Sequence, residues 1–293
     1  VLELYQRWGM SYWCVGMDEV PAIYILHYGD GGDLPGLAHT LEREGGRGDE
    51  PYIFHFPDGN ASVVRLLVRS LIPEALPGKT MEDSVTARMD YTQLDGDGGD
   101  VRIRLNASVV DAGHTADGKA VDVTYVHGGR AHTVRGDRCI MACYNSAIPY
   151  ICSELPEAQR AGLAYNVKVP LVYTKVVVPK WRWFADAGIR YVFYTNDFFK
   201  QVELDYPVSI GDYRFGASPD EPMALHLCHV PYFADVQGPD QWRAGRRQLL
   251  QTSFDTFEYH VRDQLDQALG GTGFDAGRDI SAITVNRWAH GYS

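Results

Sequence analysis

Between Val101 and Gly136 the sequence adopts a period of two, and this stretch constrains the fold more than any other. The segments VRIRLNASVV, VDVTYVHG and RAHTVRG alternate in polarity and are separated by Gly- and Asp-rich breaks, which predicts a three-stranded antiparallel meander. CIMACYNS, beginning at Cys139, then reads as a short apolar strand entering a buried sheet. Cys139 and Cys143, which flank it, are accordingly expected to be buried, inert thiols.

Elsewhere the period lengthens. Val63, Val64, Leu66, Leu67 and Leu71 fit one face of a helix. Asn60 or Ser62 is positioned to cap it, Gly59 allows a sharp entry, and Pro73 helps to end it. PEAQRAGLAYN predicts a second helix and VPLVYTKVVV a strand. Further strands are expected between Tyr191 and Phe215, with a turn at Gly211 and Asp212. Pro239 to Leu269 reads as one long helix, with Leu249, Phe254, Phe257, Val261, Leu265 and Leu269 near three-to-four spacing and Gly270–Gly271 as a left-handed stop. The first 50 residues read as short helices and loops, with a polar turn from Gly45 to Glu50. The fold class is therefore α/β in the broad sense, with mixed α and β elements.

Composition narrows the function. A formal charge of −11 disfavours nucleic acid, because a phosphate-binding surface needs clustered Lys and Arg. No run of about 18 apolar residues is present to span a bilayer. The five cysteines are too scattered for a zinc site and too few for a disulfide scaffold, and they leave the compartment undetermined. There is no phosphate-binding loop of Walker type, no HExxH, no GxSxG and no paired CxxC. The glycine cluster LGGTGF follows a helix, whereas a dinucleotide cradle follows a strand and opens a helix.

The strings FHFPDGNASVVRLLVRSLIP, MACYNSAIPYICSELPEAQR and ITVNRWAHGY resemble segments of the bacterial spermidine dehydrogenases, within the flavin-containing amine oxidoreductases. VKVPLVYT and PVSIGDYRF add to the likeness, which runs in order from about Trp8 to Tyr292. The resemblance implies a two-lobed, FAD-linked fold whose N-terminal Rossmann unit and C-terminal closing segment are not in this sequence. It divides the chain into a mixed substrate-lobe and connecting segment (1–60), part of the FAD lobe with the meander (61–150), a substrate lobe (151–285) and the start of a return to the FAD lobe (286–293). It implies a small-molecule amine as partner, with neither nucleic acid nor a membrane span.

Residue roles follow from the same likeness. Pro57, Asp58, Gly59 and Asn60 match the turn where a helix N-terminus approaches the flavin. Val109 matches an adenine-contacting strand, and Ala142 and Cys143 a strand end near the nucleotide. Trp288, Ala289, His290, Gly291 and Tyr292 match a stretch approaching the flavin and an aromatic-lined amine site, with Trp288 and Tyr292 favoured over His290, which lacks an adjacent carboxylate. Glu203 and Asp205, which share a strand face by alternation, are candidates for a distal ammonium. Lys168 and Lys175 both lie near where relatives place a flavin-facing lysine, and spacing does not choose between them. No catalytic base and no metal ligand is assigned. Some family members carry haem, for which this sequence offers no identifiable ligand. The family's frequent twin-arginine leader would imply the periplasm, but no such leader is in this sequence. The acceptor for the electrons is not readable. A chain that acts through a partner, or one that oxidises another amine or an amino acid, is the alternative.

Overall fold

The computed structural model describes residues 10–16, 19–21, 55–195, 197–205, 208–233, 235–236 and 238–291. They fall into two compact units: one within 55–167 and 208–214, the other within 168–207 and 215–291 together with the described residues of 10–21. The main boundary thus lies at Val167/Lys168. Both units mix helices with an antiparallel sheet.

In the first unit, helix α1 (Asn60–Leu71) is entered through Gly59 at φ 63°, a backbone region open to glycine at little cost. No side chain caps the helix, contrary to expectation, because the N-cap position is glycine and Asn60 is already the first helical residue. Ser62 instead donates its hydroxyl to Asp58 Oδ1 at 2.6 Å. The apolar stripe is largely open: Val63, Val64, Leu67 and Leu71 are 44–60% exposed, while Ser62 is buried. Val68 packs the helix against Ile72, Ala75 and Leu94, and the helix's arginines hold it further. Arg65 reaches the carbonyl of Ala87, and Arg69 those of Leu76 (3.2 Å), Thr80 (2.7 Å) and Pro77 (2.8 Å), so the following loop satisfies its carbonyls on the polar side.

The meander forms as strands β1 (Ser108–His114), β2 (Val121–His127) and β3 (Arg130–Gly136), in the order β1-β2-β3. Strand β1 starts seven residues later than the period-two pattern does. Arg102 and Arg104 in the missing part instead bind Asp95 at 2.8 and 2.6 Å. Gly128 and Gly129, at φ 56° and 75°, make the two-residue turn of the β2–β3 hairpin, whose twist requires positive φ at both positions. The stretch from Cys139 to Cys143 is not a strand. It has no pairing partner among the described residues, Ile140 is 89% exposed, and both cysteines are exposed rather than buried. A buried strand requires a neighbour on each side, which the local sequence cannot supply. Helix α2 (Glu157–Tyr165) forms where expected, and Ile210 bridges Tyr213 around Gly211.

The second unit is a five-stranded antiparallel sheet backed by helices. Its elements are β4 (Leu171–Val178), α3 (Arg182–Ala187), β5 (Tyr191–Phe193), β6 (Gln201–Leu204), β7 (Met223–His229), α4 (Gly238–Gln251), α5 (Phe254–Leu269) and β8 (Ala282–Trp288). The sheet order is β5-β6-β7-β4-β8. The expected single helix is two, because Ser253 accepts from Thr256 N at 3.1 Å and so caps a new start. The stop also differs: Gly270 stays right-handed and opens a short turn, and the left-handed residue is Gly273. One sheet face buries Val172, Val176, Val202, Leu225 and Leu227 against Phe257, Val261, Leu265 and Leu269 of α5.

Gln264 fastens this core. Its amide donates to Phe199 O at 3.0 Å and accepts from Phe199 N at 2.7 Å, both buried. Substituting Gln264→Leu keeps the bulk but orphans both backbone groups, and a loss of about 1–3 kcal/mol for each is expected in urea unfolding.

Candidate functional site

Alternation gives the five-stranded sheet a second face of different character. The register sets Tyr191 of β5 opposite Glu203 of β6, Glu203 opposite His226 of β7, His226 opposite Lys175 of β4, and Lys175 opposite Thr284 of β8. A neighbouring row carries Phe193, Gln201, Cys228, Tyr173 and Asn286 in the same way. Met10, in the helical turn Met10–Trp13, and Cys14 belong to a small core with Leu171, Cys228 and Val230, at one end of this face. The Glu203–His226–Lys175 row lies toward the other end.

Charges of both signs meet on this face, and Lys175 and Arg190 both act on Glu203. Lys175 Nζ donates to Asp205 Oδ2 at 2.7 Å. Gln201 donates to Glu203 at 3.2 Å, and Tyr191 OH donates to Gln201 at 3.3 Å. Burial, with the nearby charge of Asp205, raises the Glu203 carboxyl above the usual carboxylate range. Burial, with Lys175 alongside, pushes His226 down to about 4, so the imidazole is neutral at pH 7. Its ring meets Tyr173 edge-on at 4.8 Å, and its Nδ1 is buried with no hydrogen-bond partner among the described residues. The result is a half-buried carboxylate beside a neutral base and aromatic rings, a combination suited to an alkylammonium ion.

The residues expected from the sequence are distributed over both units. Half-buried Pro57 and exposed Asp58, Gly59 and Asn60 form the entry to α1. Val109 is 42% exposed on β1, beside a bulge between Val109 and Asp111, and Ala142 and Cys143 are exposed in the unpaired segment. All seven lie in the first unit, and Glu203, Asp205, Trp288 and His290 in the second. Tyr292 lies outside the described residues. Trp288 is 49% exposed and shares the polar face, but it pairs with Leu171. That is four residues along the strand, about 13 Å, and three strands across from Glu203, each step about 4.8 Å. The two therefore sit at different corners. His290 is shifted below its ordinary pKa by burial and by Arg246, whose guanidinium donates to the carbonyls of Ala289 and Lys168. Of the two lysines, Lys175 is the one on the polar face.

Tyr173, Tyr191 and His226 were not singled out by the sequence. The alternation of Leu225 and Leu227 with His226 and Cys228 in MALHLCH carries the signal for the last of them. Among the described residues no group of three His, Cys, Asp or Glu side chains could hold a metal ion, and no helix is long and apolar enough to cross a membrane.

No family model matches the chain, and no curated protein does. It is similar to solved structures of a putrescine oxidase bound to putrescine (16% identity, TM-score 0.43, 71% of this chain and 38% of that one). It is likewise similar to a cofactor-binding redesign of putrescine oxidase (16%, 0.42, 64% and 35%) and to the cyclohexylamine oxidase of Brevibacterium oxydans (15%, 0.39, 61% and 33%). The chain spans between 33% and 38% of the length of these proteins.

Proposed function

We propose that this chain is a portion of a flavin-dependent amine oxidoreductase that oxidises a C–N bond of a spermidine-like polyamine to an aldehyde and a smaller diamine. The observation that carries the reading is the polar face of the five-stranded sheet, where Glu203, His226, Lys175 and Asp205 stand among Tyr173, Tyr191 and Phe193. The family likeness of the sequence supports it.

The residues fit FAD in part. The N–H groups at the start of α1 have no side-chain cap, and among the described residues nothing lies within 4 Å of where a Cβ on Gly59 would stand, so a planar ring could approach. Among the described residues β1 pairs only with β2, and at its far end His114 N donates to Glu154, so an adenine would have to meet the backbone near Val109. A strand, glycine loop and helix to cradle the pyrophosphate are absent from the sequence. When bound, a flavin would supply the two-electron acceptor. The chain's own part is to seat and orient the amine: aromatic rings take its alkyl chain, Glu203 an ammonium, and neutral His226 adds no competing charge. The proposal is confined to FAD; haem has no identified ligand.

A second reading, a chain that acts through a partner, is favoured by the exposed Val63–Val64–Leu67–Leu71 stripe and by the unpaired segment around Ile140. Both readings are tested by visible spectra of this chain and of a version extended at both ends by the neighbouring coding sequence. The expected result is flavin absorption only in the extended form, bleached by spermidine. An extended form that stays colourless with added FAD overturns the enzyme reading in favour of the partner reading.

A further inference from the structure

The unpaired segment that follows β3 carries a sulfur atom at every second position: Cys139, Met141 and Cys143. Both cysteines are free and exposed, and Met141 is half-buried. The Cys139 thiol donates to the Met141 thioether, and the two sulfurs stand 3.7 Å apart. The backbone bends at this methionine, because Ala142 N donates to Ile140 O at 3.0 Å and closes a three-residue turn. That turn shortens the path from Cys139 to Cys143 relative to an extended strand, so the second thiol is brought toward the first pair of sulfurs.

We propose that Cys139, Met141 and Cys143 form a binding site for a monovalent copper ion. Two sulfurs 3.7 Å apart subtend about 107° at an ion about 2.3 Å from each, a usual metal–thiolate distance, so the first two donors stand at ligand spacing. The donor set selects the ion. Thiolate and thioether sulfurs are soft ligands suited to Cu(I), whereas magnesium, calcium and manganese take oxygen. Zinc also takes thiolates, but it fills its positions from Cys, His and carboxylate side chains, and among the described residues no three of these are gathered. A thioether as the third ligand therefore favours copper. Each thiol gives up its proton as it binds, so one Cu(I) exchanges for two protons and no electron is transferred. The site lies within one short stretch of the first unit and does not rest on the proposed function.

The test is a titration of the reduced full chain with Cu(I) under nitrogen, in competition with bicinchoninate, a coloured Cu(I) chelator. One equivalent per chain is expected, with X-ray absorption showing only sulfur neighbours at about 2.3 Å. Cys139→Ser and Cys143→Ser should each weaken retention about a hundredfold or more, and Met141→Leu about tenfold. Met141→Leu is expected to leave the weaker uptake of Zn(II) unchanged, a selectivity that misfolding does not produce. Cys152→Ser, which removes a half-buried thiol of the same unit, should change nothing. No copper held against the chelator, undiminished retention in any of the three site variants, loss in Cys152→Ser, or equal loss of copper and zinc in Met141→Leu overturns the proposal.

Discussion

Lowering the pH from 6.5 to about 4 is expected to destabilise the sheet-bearing unit by about 3 kcal/mol for each of two histidines. His226 and His229 are both pushed from 6.5 down to about 4, chiefly by burial. His229 is 8% exposed, and its Nδ1 lies 2.7 Å from the carbonyl of Phe198. Its ring stacks on that of Phe198 at 3.9 Å, and His260 stacks on the same phenyl ring at 4.2 Å. Lys200 and His260 further disfavour a charge on His229, and Lys175 on His226, while Asp205 partly offsets the latter. In the unfolded chain both rings take a proton as the pH drops through 6.5, whereas the folded rings resist until about 4. The unfolded state thus binds more protons across that window, so stability falls with falling pH inside it and levels off below it. Urea unfolding at several pH values measures the slope. Replacing either histidine by glutamine should remove about one proton's worth of it, and a slope unchanged in both variants would contradict the buried placement.

Truncating Phe257 should be the most damaging single change in the hydrophobic core, at about 3–5 kcal/mol for Phe257→Ala. The side chain is fully buried, with Phe198 edge-on at 5.4 Å and the Arg287 guanidinium 5.0 Å from its ring centre. A cavity left there is bounded by the sheet on one side and α5 on the other, neither of which can close in without breaking the register of β4, β7 and β8. The comparison is Leu67→Ala on the exposed stripe of α1, where a change within about 0.5 kcal/mol is expected. If Leu67→Ala proved as costly as Phe257→Ala, the stripe would be covered and the described face of α1 misplaced.

That contrast shows what a pattern in the chain does and does not convey. The stripe in α1 and the face of α5 have the same three-to-four spacing, and both predict helix. Spacing identifies an apolar face but not what lies opposite it. Only the second of them finds a sheet in the described residues. Cys139–Cys143 makes the same point for strands: its apolar run was legible, yet pairing depends on a neighbour that the run does not encode. Capping was misread at Asn60 because any short polar residue near a helix start is a candidate, and only the backbone of Gly59 decides the register. Ser253, with the same chemistry, did become a cap and split a helix that periodicity had joined.

What the sequence determined by itself was local: the meander with its Gly128–Gly129 hairpin, helices α1 and α2, strand β4, and the inward face of α5. Each is set by side-chain periodicity and turn chemistry within about ten residues. Alternation fits Glu203, which lies in β6, whereas Asp205 falls just past the end of that strand and is tied to Lys175 by an ion pair. The cross-sheet row was decided by tertiary structure alone. Glu203, His226 and Lys175 come from strands widely separated in the chain, and pairing β7 between β6 and β4 makes them neighbours. Strand register also separates Trp288 from Glu203 on the face they share. Desolvation then does what composition cannot foretell: it keeps His226 neutral, raises the Glu203 carboxyl, and leaves Lys175 to neutralise Asp205.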